Sequence, residues 1–398
     1  MTTSAKESRV GVVGAGAMGG GIAQVAAAAG HEVVLADANP GAAERARSSI
    51  LTALDRRVES NKLDGASRDG LLARIHFVST PLGGDLSVYR NCDLVIEAIV
   101  EELDAKRALF TRLDASVAPN ATLATNTSSL SVASIASACT RPERVIGIHF
   151  FNPAPVLPLV EVVPWLATKP DLVASSVQLM TEWKKTPVVA SDTPGFIVNR
   201  IARPFYGEAL RILEEGVADA ATIDWAMREL GKFRMGPFEL MDFIGNDVNY
   251  AVTRSVFEGF FYDPRYRPSL TQRRFVEAGF LGRKAGRGYY DYSDGTAKPE
   301  PRQDRDLGKG ILDRILVMLI NEAIDAVFLR VASVTDIDLA MTKGVNYPRG
   351  LLAWADESGL DWVLRGITQL QNVYGEDRYR PSPLLRRMAN ENRRFYEA

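Results

Sequence analysis

The sequence predicts an α/β domain built on a doubly wound parallel sheet, followed by two all-α domains that read as a tandem repeat. Three observations point there. Short apolar runs alternate with longer helix-forming stretches up to about residue 192, and a glycine-rich turn joins the first run to a helix. After Pro194 the strand pattern gives way to helical periodicity alone. At 398 residues the chain exceeds one ordinary core, and its domains read as residues 1–192, 193–295 and 296–398.

The bulk numbers exclude several partners. With 47 basic against 49 acidic residues the net charge is −2, so no broad field draws in nucleic acid or an anionic membrane. The N-terminal MTTSAKESRV lacks an apolar signal core, and Cys92 and Cys139 have no metal or redox spacing. A cytoplasmic enzyme without a membrane or nucleic-acid partner fits best.

In chain order, Val10 to Val13 is an apolar strand leading into Gly14-Ala-Gly16-Ala-Met18-Gly19, after which Ile22 to Ala29 is rich in helix formers and ends at Gly30. A second apolar run, Val33 to Ala36, closes on Asp37. This is the strand, turn, helix, strand, acid order of a Rossmann-type dinucleotide-binding unit. Gly14 permits the tight turn, Gly16 lets the backbone approach a pyrophosphate, and Gly19 lets helix pack on strand. Asp37, 18 positions beyond Gly19, can bond the ribose hydroxyls and would repel a 2′-phosphate, so the expected cofactor is NAD.

Ala42 to Val78 reads as helical and charged. Arg56, Arg57 and Lys62 have two readings there, a solvated face or a contact with the phosphates of a long ligand. His31 and His76 lie beside strand-like runs with no paired acid in view, and read as structural. CDLVIEAIV, Cys92 to Val100, is an apolar strand, and a helix follows through Lys106 and Phe110 to Asp114. ATLATNTSSL ends a strand in Asn126, Thr127, Ser128 and Ser129. Ligands of doubly wound sheets bind beyond the carboxyl ends of the strands, so these residues line a cleft, or one of them caps the next helix.

The richest stretch is Val145 to Val163, VIGIHFFNPAPVLPLVEVV. An apolar strand brings His149 to the same sheet edge, an Asn-Pro turn follows, and Glu161 sits in a second β-rich run. An imidazole, whose ordinary pKa is near ~6.5, can take a proton from a hydroxyl. A carboxylate on its other nitrogen fixes the tautomer and stabilises the imidazolium. Further on, Leu172 to Trp183 reads as a helix and Thr186 to Ser191 as a last short strand.

In the helical half, Gly195 to Glu215 reads as one long amphipathic helix bent at Pro204. A repeat then emerges. NRIARPFYGEAL, 199–210, aligns with DRILVMLINEAI, 313–324; DPRYRPS, 263–269, aligns with EDRYRPS, 376–382; and Asp242 falls opposite Asp356. Asp294 to Asp306, DGTAKPEPRQDRD, reads as the linker between the copies.

VGVVGAGAMGGGIAQ, VIEAIVEELDAKRALF, NTSSL, GIHFFNPAPVLPLVEVV, DTPGFIVNR, MGPFELMDFIG and GRKAGRGYYDY occur in order over about Arg9 to Tyr292. Together they resemble the (S)-3-hydroxyacyl-CoA dehydrogenase family. The resemblance implies NAD-dependent oxidation of an acyl-CoA substrate, with His149 as catalytic base, Glu161 orienting it, Ser128 bonding the substrate hydroxyl and Asn199 beside the substrate. On the cofactor side it implies Gly14, Gly16, Met18, Gly19, Asp37, Glu101, Lys106, Asn126 and Asn152. Asn199 is replaced by Asp313 in the second copy, so that copy is read as structural. In single-copy members of the family the helical domain makes the homodimer contact, and a second copy in the same chain is expected to cover that face internally. A homodimer stays open as an alternative. Chain length also stays open between 3-hydroxybutyryl-CoA and 3-hydroxyadipyl-CoA, with Arg203 and Arg234 either meeting a dicarboxylic acyl end or forming surface ion pairs. The rival functions are a dehydrogenase of a CoA-free 3-hydroxy acid and a non-catalytic NAD-binding protein.

Overall fold

Eight strands, β1 (Arg9–Val13), β2 (Glu32–Asp37), β3 (Ile75–Ser79), β4 (Leu94–Glu97), β5 (Thr122–Thr125), β6 (Val145–Phe150), β7 (Leu159–Val163) and β8 (Thr186–Val189), form one sheet. Their order is β3-β2-β1-β4-β5-β6-β7-β8. The structure is a computed structural model describing residues 8–79 and 84–396. The reading of the N-terminal decapeptide falls mostly on residues 1–7, outside the described residues. The chain forms two compact units, Met1–Asp192 and Thr193–Ala398.

In the first unit β1 to β6 run parallel, β7 is antiparallel to β6, and β8 is parallel to β7. The chain reverses direction across the sheet between β1 and β4, the place where such sheets open a crevice. Helices α1 (Ala17–Ala28), α2 (Ala42–Glu59), α3 (Gly65–Ala73), α4 (Leu103–Ser116), α5 (Val132–Ala136) and α6 (Pro170–Glu182) make the connections or flank the sheet. β1 and β4 are buried along almost their whole length, which is why they read as unbroken apolar runs. Ile22, Leu35 and Phe150 are fully enclosed, each stabilising the fold by about 1.5–3 kcal/mol. The stretch read as helical from Ala42 to Val78 ends in β3 instead. IHFVS is β-branched and aromatic, and pairs with β2 at the sheet edge.

The second unit is helical throughout: α7 (Val198–Ile201), α8 (Arg203–Glu214), α9 (Ala220–Trp225), α10 (Pro237–Ile244), α11 (Asn246–Gly259), α12 (Leu270–Glu277), α13 (Arg305–Phe328), α14 (Val334–Gly344), α15 (Leu351–Ser358), α16 (Leu360–Tyr374) and α17 (Pro383–Asn390). The single helix expected from Gly195 to Glu215 is two, broken at Ala202, with Pro204 in the first turn of α8. Proline fits a first turn because its missing N–H has no partner there. α13 begins at Arg305, two residues inside the expected linker, because Asp304 caps it. From Ile315 to Ala326 α13 is buried on all sides, apolar except for Asn321, Glu322 and Asp325, whose polar groups find partners within the unit.

The two copies fold alike at an offset of 114 positions. Asp224 accepts from the N–H groups of Phe238 and Glu239 and the phenol of Tyr290; Asp338 accepts from Leu352, Ala353 and Tyr396. Both aspartates reach 14 and 15 residues forward to start α10 and α15. Asp242 accepts from Tyr289 and Tyr290, and Asp356 from Phe395 and Tyr396. The copies also exchange partners. Glu208 takes Arg314, Arg378 and Tyr379, at 2.9, 2.7 and 3.1 Å, all from the second copy. Glu322 takes Arg200, Arg265 and Tyr266, at 2.6, 3.1 and 2.6 Å, all from the first.

Candidate active site

Four loops converge on the carboxyl edge of the sheet in the first unit. The glycine turn follows β1, Asp37 ends β2, Glu101 follows β4 and Asn126 to Ser129 follow β5. The three glycines have three different reasons. Gly14 has φ +103° and a Cβ there would strike the Ala98 carbonyl at 2.4 Å; a Cβ at Gly19 would sit 1.8 Å from the Gly14 carbonyl oxygen. Gly16 is exposed, and a Cβ there would meet no protein atom within 4 Å. Nothing in the fold requires glycine at 16, whereas a pyrophosphate lying on the backbone would. Met18 packs partly against the core in the first turn of α1. Asp37 accepts the Ala15 N–H on one oxygen and the Asn39 N–H on the other, both at 2.7 Å, which locks the carboxylate to the turn. This donor and acceptor set fits a dinucleotide.

Glu101 organises the second wall. One oxygen accepts from the Thr127 hydroxyl at 2.6 Å, the Ser128 N–H at 2.9 Å and the Ser129 hydroxyl at 3.1 Å; the other pairs with Lys106 at 3.1 Å. Burial pushes the Glu101 carboxyl up, but the Lys106 ammonium and the Thr127 and Ser128 hydrogen bonds outweigh it and hold it below the usual range. Lys106 is 1% exposed, and it also binds Glu97 at 2.5 Å. Glu97 further accepts from Thr125 and the Ile99 N–H. The ammonium is therefore spent on two carboxylates, and Lys106 stands behind Glu101. Asn126 accepts the Phe150 N–H at 2.8 Å, tying the end of β5 to the end of β6. The cap of α5 is Ser131, whose helix start is also held by Asp192, so the NTSS residues are not that cap.

His149 and Glu161 face each other in the antiparallel register of β6 and β7. Nδ1 of His149 and Oε2 of Glu161 are 2.7 Å apart, with the two residues 5% and 0% exposed. The residues that form the pair are thus set by strand pairing rather than by a flexible loop. The Phe151 ring stands 4.5 Å from the imidazole, and the Asn152-Pro153 peptide in the following turn is cis, with Asn152 exposed. The other two histidines differ from it. His31 is buried between Ser8 and the Trp183 indole. His76, expected to lack an acid, pairs with Glu32 at 2.8 Å on an exposed edge, because β3 lies beside β2 in a register that the sequence does not reveal.

Residues 9–193 match the family described as 3-hydroxyacyl-CoA dehydrogenase, NAD binding domain. The C-terminal domain of the same family matches twice, over 195–292 and 311–395. The chain belongs to the 3-hydroxyacyl-CoA dehydrogenase family. This dehydrogenase is 40% identical to a 3-hydroxyadipyl-CoA dehydrogenase of Escherichia coli K12, across 96% of this chain and 97% of that one. It is 42% identical to a 3-hydroxybutyryl-CoA dehydrogenase of Bradyrhizobium diazoefficiens, across 74% of this chain and 97% of the relative. A solved structure of 3-hydroxybutyryl-CoA dehydrogenase from E. coli K12 superposes with a TM-score of 0.89 at 38% identity, covering 96% and 98% of the two chains. The enzyme is an NAD-dependent oxidoreductase.

In the helical unit of the dehydrogenase, Asn199 is half-buried on α7. Its neighbour Arg200 is gripped by Glu322 and Asp325 of α13, so the second copy holds the helix that carries Asn199. Arg203 is buried and forms no ion pair among the described residues, while Arg234 is exposed. Arg56, Arg57 and Lys62 are exposed. No group of three His, Cys, Asp or Glu side chains that would hold a metal occurs among the described residues, and no described helix is long and apolar enough to cross a membrane. Sequence reading missed Glu97, although an acid inside the apolar run CDLVIEAIV was the available signal.

Proposed function

We propose that His149 is the general base that removes the 3-hydroxyl proton of an (S)-3-hydroxyacyl-CoA, giving the 3-ketoacyl-CoA. The observation behind this is the buried 2.7 Å pairing with Glu161. A carboxylate accepting from Nδ1–H leaves Nε2 with its lone pair, and stabilises the imidazolium once the proton arrives. Bound NAD supplies the acceptor for the hydride that leaves C3. Gly14, Gly16, Met18, Gly19, Asp37, Glu101, Asn126 and Asn152 are read as its cradle, and Lys106 as the residue that fixes Glu101. Ser128 and Asn199 are read as the hydroxyl and amide that position the substrate. The acyl chain is short, in keeping with relatives named for 3-hydroxybutyryl-CoA and 3-hydroxyadipyl-CoA. The reducing cytosol is the compartment read for the enzyme, in keeping with Cys92 and Cys139, which are both free thiols. His149→Ala is expected to lower kcat on (S)-3-hydroxybutyryl-CoA by about 10²- to 10⁴-fold while NADH binding, followed by fluorescence, is retained. Near-normal turnover would remove His149 from the chemistry.

A further inference from the structure

Five arginines are buried among the described residues, and four of them meet carboxylates. Arg144 pairs with Asp114, Arg200 and Arg265 with Glu322 and Asp325, and Arg378 with Glu208. Arg203, 6% exposed, does not. Its Nε donates to the Asn199 carbonyl at 2.6 Å, and its Nη1 to Thr253 Oγ1 at 2.9 Å and the Asn249 carbonyl at 3.5 Å. The guanidinium lies 5.0 Å over the Tyr206 ring, and Nη2 donates to nothing among the described residues. Tyr347, whose ring lies 5.7 Å from that of Phe205 on the same helix as Arg203, is 5% exposed with a buried hydroxyl that has no hydrogen-bond partner. A buried cation without an anion costs several kcal/mol, as does an orphaned hydroxyl to a lesser degree.

The second copy shows that the fold does not need this arrangement. At the offset of 114, Arg203 becomes Val317, Thr253 becomes Ile367 and Tyr206 becomes Ile320, and Tyr347 is matched in the first copy by Phe233. All four counterparts are buried apolar side chains. Val317 packs against Gly366 of α16 in the position that corresponds to Arg203 against α11. The polar version is therefore a departure from what packing alone requires, and it lies four positions beyond Asn199, whose carbonyl Arg203 holds.

We propose that Arg203 receives the terminal carboxylate of the acyl chain, with the Tyr347 hydroxyl as a second donor, so that the enzyme selects 3-hydroxyacyl-CoA substrates ending in a carboxylate about three carbons beyond C3. This rests on the reading of Asn199 as a substrate-side residue. Arg203 follows Asn199 by four positions across the break at Ala202 and its Nε holds the Asn199 carbonyl at 2.6 Å, so the guanidinium stands beside Asn199, within reach of a chain that extends three carbon–carbon bonds of about 1.5 Å each beyond C3. The free Nη2 supplies the charge-assisted donor that a carboxylate takes.

The test compares kcat/KM of the full-length enzyme on (S)-3-hydroxyadipyl-CoA, its terminal methyl ester and (S)-3-hydroxyhexanoyl-CoA, for wild type and Arg203→Gln. Wild type is expected to prefer the free acid over the other two by about 10²-fold. In Arg203→Gln that preference ratio is expected to collapse, with the loss carried by KM. A wild type indifferent among the three, or a variant that keeps the ratio while losing rate on all of them, overturns the carboxylate role and leaves the dehydrogenase reading standing. Absence of turnover on all three would overturn the dehydrogenase reading itself and the proposal with it. If Arg203→Gln does not fold, the wild-type ratio of acid to ester decides alone.

Discussion

Residues 195–292 and 311–395 are two versions of one helical plan, and they diverge at a place where only one of them is polar. Their shared parts are structural. Asp224 and Asp338 each start a helix, Asp242 and Asp356 each hold a closing aromatic pair, and Glu208 and Glu322 each receive two arginines and a tyrosine from the other copy. What differs is Asn199 against Asp313 and Arg203 against Val317. The comparison separates residues that the packing demands from residues that it merely tolerates.

The largest expected effect comes from the exchanged glutamates. Glu208→Gln leaves the buried Arg378 and the half-buried Arg314 short of a charge, Glu322→Gln does the same to the buried Arg200 and Arg265, and each is expected to cost about 3–5 kcal/mol in urea unfolding. Similar losses support an equivalent role in the two copies; a large loss in one alone would break the symmetry.

A smaller effect is expected when the first copy is given the side chains of the second. The double variant Arg203→Val with Thr253→Ile removes a buried charge that has no counter-ion, so its stability is expected to be no lower than wild type and up to about 1–4 kcal/mol higher. A loss of several kcal/mol in the same unfolding experiment would mean that Arg203 is a structural member of the first copy after all.

A third effect is one of pH. Burial pushes the Asp224 carboxyl up to about 7, against hydrogen bonds from Tyr290, Phe238 and Glu239. Its folded form then holds a proton that the unfolded chain has lost, so its contribution to stability falls as pH rises from about 4 to about 7 and levels off above. The difference in unfolding midpoint between wild type and Asp224→Asn is expected to shrink over that window. Asp338, shifted in the same direction by burial, is expected to give a slope of the same sign. Opposite slopes would show that the matched positions are electrostatically distinct.

Much of this was legible in the sequence where chemistry and local pattern coincide. The glycine turn and Asp37 are close in the chain, and His149 and Glu161 lie 12 positions apart across one turn, so that strand pairing makes them neighbours. The copies were legible because their repeat keeps both identity and spacing. What escaped depends on long-range placement. Glu97 reads as part of an apolar strand until Lys106 is seen on it, and the His76 pair exists only because β3 lies beside β2. Proline at 204 signals a bend, but whether the helix bends there or ends and restarts is not written in the proline alone; it restarts after Ala202 with Pro204 in the first turn of α8. That Arg203 is buried rather than on the surface could not be read from a helix whose neighbours were unknown.

The exchange of partners between the copies also bears on how the chain is made. Arg200 must wait for Glu322, 122 residues later, and at about 5–20 residues per second that interval lasts on the order of ten seconds on the ribosome. Throughout it, the nascent first copy carries guanidinium groups and a glutamate whose counterparts have not yet been synthesised. Its helices cannot close around a finished interior until the final stretch, with Arg378 and Tyr379, has left the exit tunnel.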